Sequence, residues 1–304
     1  MLDRVTGMQV FVRVAALGSF SAAARALGLS QTMVTKHVAA LEDRLGVKLL
    51  HRSTRSLVLT EGGRSYLAAC ERILAEIEEA ETSASLDRVE PRGTLRLNVP
   101  VTFGFRHVAP ALAEFSRLHP AVSIDLGLAD RFVDLIEEGW DLAVRIGRLK
   151  DSTLVTRKIA PCRIAICAAP SYFKEHGIPR SPDDLSRHNC LGYTLSSSVG
   201  ADRWQFGPEG DITVPVQGNL RANNGDALLA AALTGQGLIY QPTFLVGDSL
   251  RSGELVRVLD DWPTPNFAVH AVLPSGRQAP AKVRAFVEFL ARRFGPEPEW
   301  DVGL

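Results

Sequence analysis

Residues 18–60 read GSFSAAARALGLSQTMVTKHVAALEDRLGVKLLHRSTRSLVLT. Within them Phe20, Ala23, Ala24 and Leu27 recur at i, i+3, i+4 and i+7, one face of a short helix. Gly28 is a sharp stop, and a turn of a few residues comes next. Ser30 then caps a second helix running to about Leu45, with Val34, Val38, Leu41 and Leu45 as its apolar stripe. The early turns of that helix carry Gln31, Thr32, Thr35 and Lys36. Gln can make two hydrogen bonds to adenine, Thr can bond a base or touch a thymine methyl, and Lys suits guanine or phosphate. A helix-turn-helix presents the N-terminal part of its second helix to the major groove, so these positions and Ser30 are the candidate DNA readers. Three ordinary packed helices give a similar apolar pattern, so the residues after Gly46 carry weight.

Residues 47–59 hold Lys48, His51, Arg52 and Arg55 and no acid. Leu57 and Leu59 alternate with Ser56 and Val58, as in a short strand. The segment reads as a basic two-stranded wing, with Arg52, Thr54 and Arg55 placed for backbone phosphate. A solvated basic loop is the other reading. Upstream, Met8, Phe11, Val12 and Ala15 share one face of a supporting helix from Asp3 to about Leu17.

The stretch SFSAAARALGLSQTMVTKHVAALEDRLGVKLLHRSTRSLVLTEGG resembles the DNA-binding domain of LysR-type transcriptional regulators, over about residues 5–65. Two positions depart from the family pattern. Leu50 stands where an aromatic is usual, and Gly62 where alanine is usual. A glycine there weakens the start of the next helix by up to ~1 kcal/mol.

The zero overall charge hides an asymmetry. Residues 1–64 hold nine Lys/Arg against four acids, a net of plus five, whereas residues 65–90 hold two Arg against seven acids, a net of minus five. A basic module on an acidic stalk is where an anionic polymer docks. Thr60 can cap a long helix from about Glu61 to Ala84, with a seam of Tyr66, Cys70, Ile73, Ile77, Ala80 and Ala84 at spacings of four and three. That seam fits one partner helix; packing on its own domain is the plainer reading. The resemblance implies that this linker pairs two subunits over a dyad site in double-stranded DNA, and that dimers pair into a tetramer. Residues 87–92, polar with Pro91, read as a hinge.

The remaining two-thirds alternates strand and helix. Leu95/Leu97/Val99, Val122 to Leu128 and Leu142/Val144/Ile146 read as strands, with Val108, Leu112 and Phe115 on a helix and Phe132, Leu135 and Ile136 on a short one. The rhythm predicts an α/β fold with a largely parallel sheet. A second set starts near Cys162: a helix start at Ser181-Pro182-Asp183-Asp184, strands near 213–222, a helix from about Asp226 to Leu233, strands at 238–240 and 267–273, and a helix from about Pro280 to Phe294. The stretches FRHVAPALAEFSRLHPAVSIDLGLADRFVDLIEEGWDLAVRIG and NNGDALLAAALTGQGLIYQPTF resemble the family's effector-binding domain, itself similar to periplasmic solute-binding proteins. The expected architecture is an all-α winged helix-turn-helix (1–60), a linker helix (61–86), a hinge (87–92) and a periplasmic-binding-protein-like α/β domain (93–304). The resemblance divides that domain into subdomains of 93–160 with 268–304, and of 161–267.

Ligands of open α/β sheets lie beyond the carboxyl ends of strands. Two such turns are polar, Pro100-Val101-Thr102-Phe103-Gly104 and Asn223-Asn224-Gly225-Asp226. Free N–H groups at a helix start favour anions, so a small organic acid is the expected effector class. Thr102 and Asn224 can bond it or merely cap helices, and Asp226 fits a first-turn acid. Phe103, Pro242 and Phe244 can wall the site. Arg145 can pair the carboxylate or make a structural ion pair.

No GxSxG, HExxH, phosphate loop or GxGxxG occurs, and Ser171-Tyr172-Phe173-Lys174 satisfies SxxK without its companion motifs. The histidines show no metal-ligand pairing, so neither catalysis, metal nor cofactor is expected. His37 and His51 read as DNA-face or packing residues. Cys70, Cys162, Cys167 and Cys190 form no CxxC pair and read as reduced, buried thiols. No run of 18 apolar residues and no signal-peptide pattern is visible, which points to a cytoplasmic protein without a membrane partner. A cytoplasmic solute-binding module whose N-terminal helices serve only assembly is the competing reading.

Overall fold

A computed structural model of the chain describes residues 3–52, 57–84, 90–148, 155–195, 200–274 and 279–304. The chain forms two compact units, Met1–Val89 and Glu90–Leu304.

In the first unit, α1 (Arg4–Leu17), α2 (Phe20–Leu27) and α3 (Gln31–Leu45) each start at a side chain that accepts a free N–H. Asp3 accepts from Thr6 N at 2.8 Å, Ser19 from Ala22 N at 3.3 Å and Ser30 from Met33 N at 3.2 Å. Each helix stops at a left-handed glycine, with φ of 58° at Gly18, 65° at Gly28 and 69° at Gly46. Strands β1 (Leu50–Arg52) and β2 (Leu57–Leu59) pair antiparallel, Leu50 opposite Leu59. Phe11, Val34, Val38, Leu41 and Leu49 make the centre of the core, and Leu50 is buried in it where the family usually has an aromatic. Helix α4 (Glu61–Ala84) leaves from here, Thr60 Oγ1 accepting from Gly63 N at 2.8 Å. The seam of α4 divides: Cys70 is fully buried in the core of its own unit and Tyr66 packs against it, so the first turns obey the plainer reading. Ile73, further along, stays exposed.

The second unit is built on a five-stranded sheet. Strands β3 (Gly93–Val99) and β4 (Val122–Leu128) pair parallel. Between them run α5 (Val101–Phe103), a π-helical stretch at Gly104–Val108 and α6 (Ala109–Leu118). Strand β5 (Leu142–Gly147) pairs parallel with β3. The chain leaves the sheet along β6 (Val155–Cys162) and runs into a second sheet through β7 (Ile164–Ala168). Next in the chain are α7 (Pro170–His176), a 3-10 turn at Pro182–Arg187, β8 (Gly192–Tyr193), β9 (Arg203–Phe206), β10 (Ile212–Pro215) and β11 (Arg221–Ala222). Then come α8 (Gly225–Leu233), β12 (Ile239–Pro242), α9 (Thr243–Arg251) and β13 (Val256–Val258). Strand β14 (Phe267–Leu273) returns to the first sheet, and α10 (Ala281–Phe294) covers it.

Two expectations need correction. The sheets are less parallel than the rhythm implies. In the first, ordered β4-β3-β5-β14-β6, only the β3 pairings are parallel; in the second, β12-β7-β13, both are antiparallel. The reason is that exit and return adjoin: Phe267 lies opposite Cys162, so β14 runs back against β6. Nor do Phe132, Leu135 and Ile136 form a helix. Asp134 Oδ1 takes the N–H groups of Ile136 and Glu137, both at 2.9 Å, and Gly139 turns left-handed at φ 69°. One turn forms and stops, leaving Phe132 72% exposed.

Candidate nucleic-acid interface and effector cavity

On α3 the two faces separate by chemistry. Val34, Val38 and Leu41 are buried, while Gln31, Thr32 and Lys36 are exposed and Thr35 is half-buried. Ser30 is exposed, and its Oγ accepts the Met33 N–H as the cap while its hydroxyl can still donate. His37 is buried with its Nδ1 lacking a partner, so it belongs to the packed face. Of the wing residues, Arg52 ends β1 opposite Leu57, His51 is exposed, and Thr54 and Arg55 lie outside the described residues.

The residue that joins helix to wing escaped the sequence reading. Glu42 is 4% exposed, and its Oε1 accepts from the backbone N–H of Leu49 at 2.9 Å and Leu50 at 3.3 Å. Its Oε2 accepts from Lys48 Nζ at 2.8 Å. Burial pulls this carboxyl upward, but Lys48 and the two amides outweigh it and hold it below its ordinary range. The only local signal was an acid near the end of an amphipathic helix, with Gly46 and Lys48 just beyond it. On the far side of the wing, Thr60 Oγ1 donates to Lys48 O at 2.7 Å and Arg64 to Leu59 O at 3.1 Å.

In the second unit a cavity of about 230 Å³ opens between the two sheets. Thr102, Phe103, Arg145, Pro242 and Phe244 line it. Asn224 does not; its Oδ1 accepts from Asp226 N at 3.0 Å and Ala227 N at 3.3 Å as the cap of α8. Asn224 thus takes N–H groups that an anion would have used, and the Asp226 carboxylate in the first turn accepts from the Thr102 hydroxyl and pairs with Arg106 Nη2 at 2.9 Å. Phe103 is fully buried, its ring 5.2 Å from Phe244, 5.6 Å from Phe294 and 5.5 Å from Trp300. His107 Nε2 donates to Phe244 O at 3.0 Å, a second tie across the cleft. Burial lowers the His107 pKa, so the ring sits there neutral near pH 7.

Among the described residues Arg145 has no ion-pair partner. Its Nη1 donates to Asn98 Oδ1 and to Val144 O, each at 3.0 Å, and its Nη2 is buried without a partner. Burial draws its pKa below the usual arginine range against the pull of Glu138 and Asp130. The lining the sequence did not disclose is aromatic: Phe132, Tyr193, Trp204 and Tyr240. These residues sit on short strands and turns far apart in the chain, with no shared motif. All four cysteines are free and buried, and burial pushes Cys167 and Cys190 up to about 12, which keeps them protonated. Among the described residues no helix is long and apolar enough to cross a membrane.

Residues 5–64 match the family described as "Bacterial regulatory helix-turn-helix protein, lysR family", and residues 88–295 match "LysR substrate binding domain". The chain belongs to the LysR family of transcriptional regulators. Among similar proteins, an HTH-type transcriptional regulator of Xanthomonas campestris pv. campestris is 40% identical over 294 residues, 96% of this chain and 86% of its own length. HTH-type transcriptional regulator PtxR of Pseudomonas aeruginosa is 37% identical, covering 96% of this chain and 93% of its own. The solved structure of CrgA, a LysR-type transcriptional regulator from Neisseria meningitidis, aligns at 32% identity and a TM-score of 0.61 over 95% of this chain and 98% of its own. The LysR assignment makes the protein a DNA-binding, effector-controlled regulator of a family that forms oligomers, and not an enzyme. It also removes the competing reading of a solute-binding module without a DNA function.

Proposed function

We propose that this regulator reads a dyad DNA site with Gln31, Thr32, Thr35 and Lys36 of α3 in the major groove. Ser30, Arg52, Thr54 and Arg55 hold the flanking phosphates. Two copies pair through α4, and two such dimers pair again, in the cytoplasm. The effector is a small organic acid in the cavity lined by Thr102, Phe103, Arg145, Pro242 and Phe244, with Asn224 acting indirectly by capping the helix that carries Asp226. The observation that carries the DNA half is the exposure of Gln31, Thr32 and Lys36 above a buried Val34, Val38 and Leu41 stripe. Phosphate contacts release counterions, so affinity falls steeply with salt, with a slope of about −0.9 per contact. In a salt titration on its own upstream DNA, the double substitution Arg52→Ala with Arg55→Ala is expected to weaken binding and flatten the slope by about 2. Equal binding of the wild-type protein to upstream and random DNA would refute the assignment.

A further inference from the structure

We infer that the effector is a planar, single-ring monocarboxylate and that Arg145 is the residue that selects its anionic head. The inference rests on the cavity being the effector site, as proposed above.

The head group is set by Arg145. Its two hydrogen bonds both go to uncharged oxygens, at Asn98 and Val144, and its Nη2 is buried with no partner. The half-buried guanidinium therefore lines the cavity without an anionic partner among the described residues, and a carboxylate entering there would supply one. The other cations of the lining are differently placed. Arg148 is closed by Glu209 at 2.8 Å, and Arg203 is exposed. Asp130 also lines the cavity, with Oδ1 taking the Val101 N–H at 2.9 Å, and its charge works against a second acid on the ligand. The start of α8 is a poor competing anion site, because Asn224 Oδ1 takes the N–H groups of Asp226 and Ala227 and the Asp226 carboxylate stands in its first turn.

The body is set by size and walls. A cavity of about 230 Å³ is smaller than the roughly 300–1,000 Å³ of pockets for drug-sized ligands, so it admits one ring and short substituents. The walls are Phe132, Tyr193, Trp204, Tyr240 and Phe244. Trp204 and Tyr240 lie 5.5 Å apart at 34°, and the Arg145 guanidinium carbon is 5.8 Å from the Phe132 ring. Faces and edges of this kind favour a flat π-system over a puckered ring of equal volume.

Calorimetric titration of the full chain with benzoate, benzamide and cyclohexanecarboxylate tests each part. Benzoate is expected to bind at least about tenfold more tightly than its neutral isostere benzamide, and several-fold more tightly than cyclohexanecarboxylate. Arg145→Gln is expected to erase the benzoate–benzamide difference. Phe132→Ala, at an exposed position that does not endanger folding, is expected to weaken benzoate several-fold. Should Arg145→Gln fail to fold, the wild-type comparison and Phe132→Ala still decide. Benzamide binding as well as benzoate, or a folded Arg145→Gln that keeps the discrimination, overturns the head-group assignment. Cyclohexanecarboxylate binding as tightly as benzoate overturns the aromatic class and leaves the organic-acid reading standing. No binding by either acid overturns both. The salt titration on DNA is independent of all these outcomes.

Discussion

A carboxylate in a core costs free energy unless its lone pairs are filled, and Glu42 has them filled by two backbone amides and an ammonium. The consequence is a fixed angle between the helix proposed to enter the groove and the wing proposed to clamp beside it. Glu42→Gln keeps the shape, loses the charge and is expected to lower stability by about 1–3 kcal/mol near neutral pH. The folded carboxyl lies below its ordinary value of 4.5, so its contribution is complete above that value. It is lost as pH falls through the lower folded value. Urea unfolding of the wild type and Glu42→Gln between pH 7 and pH 3 is therefore expected to show a gap that narrows below about pH 4.5. A gap that stays constant or widens would show that the charge is not what holds the wing. The contrast with Gln31, Thr32 and Lys36 explains what the sequence could disclose. Their exposure is a product of helical period alone, whereas Glu42 finds its partners only after Gly46 reverses the chain.

Elements with local punctuation were legible, and elements decided by distant pairing were not. Asp3, Ser30 and Asn224 start helices and Gly28 and Gly46 end them, all within a few residues of the groups they satisfy. Helices α7 and α9 were missed: each continues straight on from a buried strand region and lacks a side-chain cap. The direction of β14 was equally hidden, since it depends on where the chain leaves the first sheet. At the start of α4 two adjacent glycines make opposite predictions. A Cβ at Gly62 meets only Thr60 Oγ1 at 3.9 Å, so Gly62→Ala is expected to stabilise by up to ~1 kcal/mol. A Cβ at Gly63 falls 2.0 Å from the Leu49 carbonyl oxygen, which is backbone and cannot turn aside. Gly63→Ala is expected to push the base of the wing away, lowering both the melting temperature and DNA affinity. Thermal melts of the two variants side by side check the pair. A neutral Gly63→Ala would mean that the wing and α4 separate more easily than their packing implies.

At the scale of the molecule, the first sheet and the second enclose the cavity, and side-chain hydrogen bonds and ion pairs join the two halves. Strand-end reasoning found Thr102, Phe103, Arg145, Pro242 and Phe244 because backbone topology alone puts such turns at a cleft. It misplaced Asn224, because a polar residue before a helix gives the same signal whether it binds a ligand or caps the helix. Among the ties are Asp226 on α8, held by Thr102 and Arg106, His107 donating to Phe244 O, Arg148 paired with Glu209, and Thr243 donating to Asp301. The Arg106–Asp226 pair is partly exposed, with side chains 31% and 41% accessible, and a pair of that kind is worth about 0–1 kcal/mol. A tie this weak holds the cleft without locking it, and an effector can shift the balance only by its difference in affinity for the two forms. Asp226→Asn keeps a hydrogen-bonding group beside Thr102 but removes the charge. Amide exchange is then expected to rise by up to about fivefold at residues 101–108 and 225–233, the two sides of the tie, while α7 and the Pro182–Arg187 turn, which pack in a separate apolar cluster, stay unchanged. Faster exchange throughout the second unit would instead mean that Asp226 supports the fold as a whole. Unchanged exchange at both segments would leave the His107 bond, the Arg148–Glu209 and Thr243–Asp301 contacts and the Phe103–Phe244 packing as what keeps the sheets together.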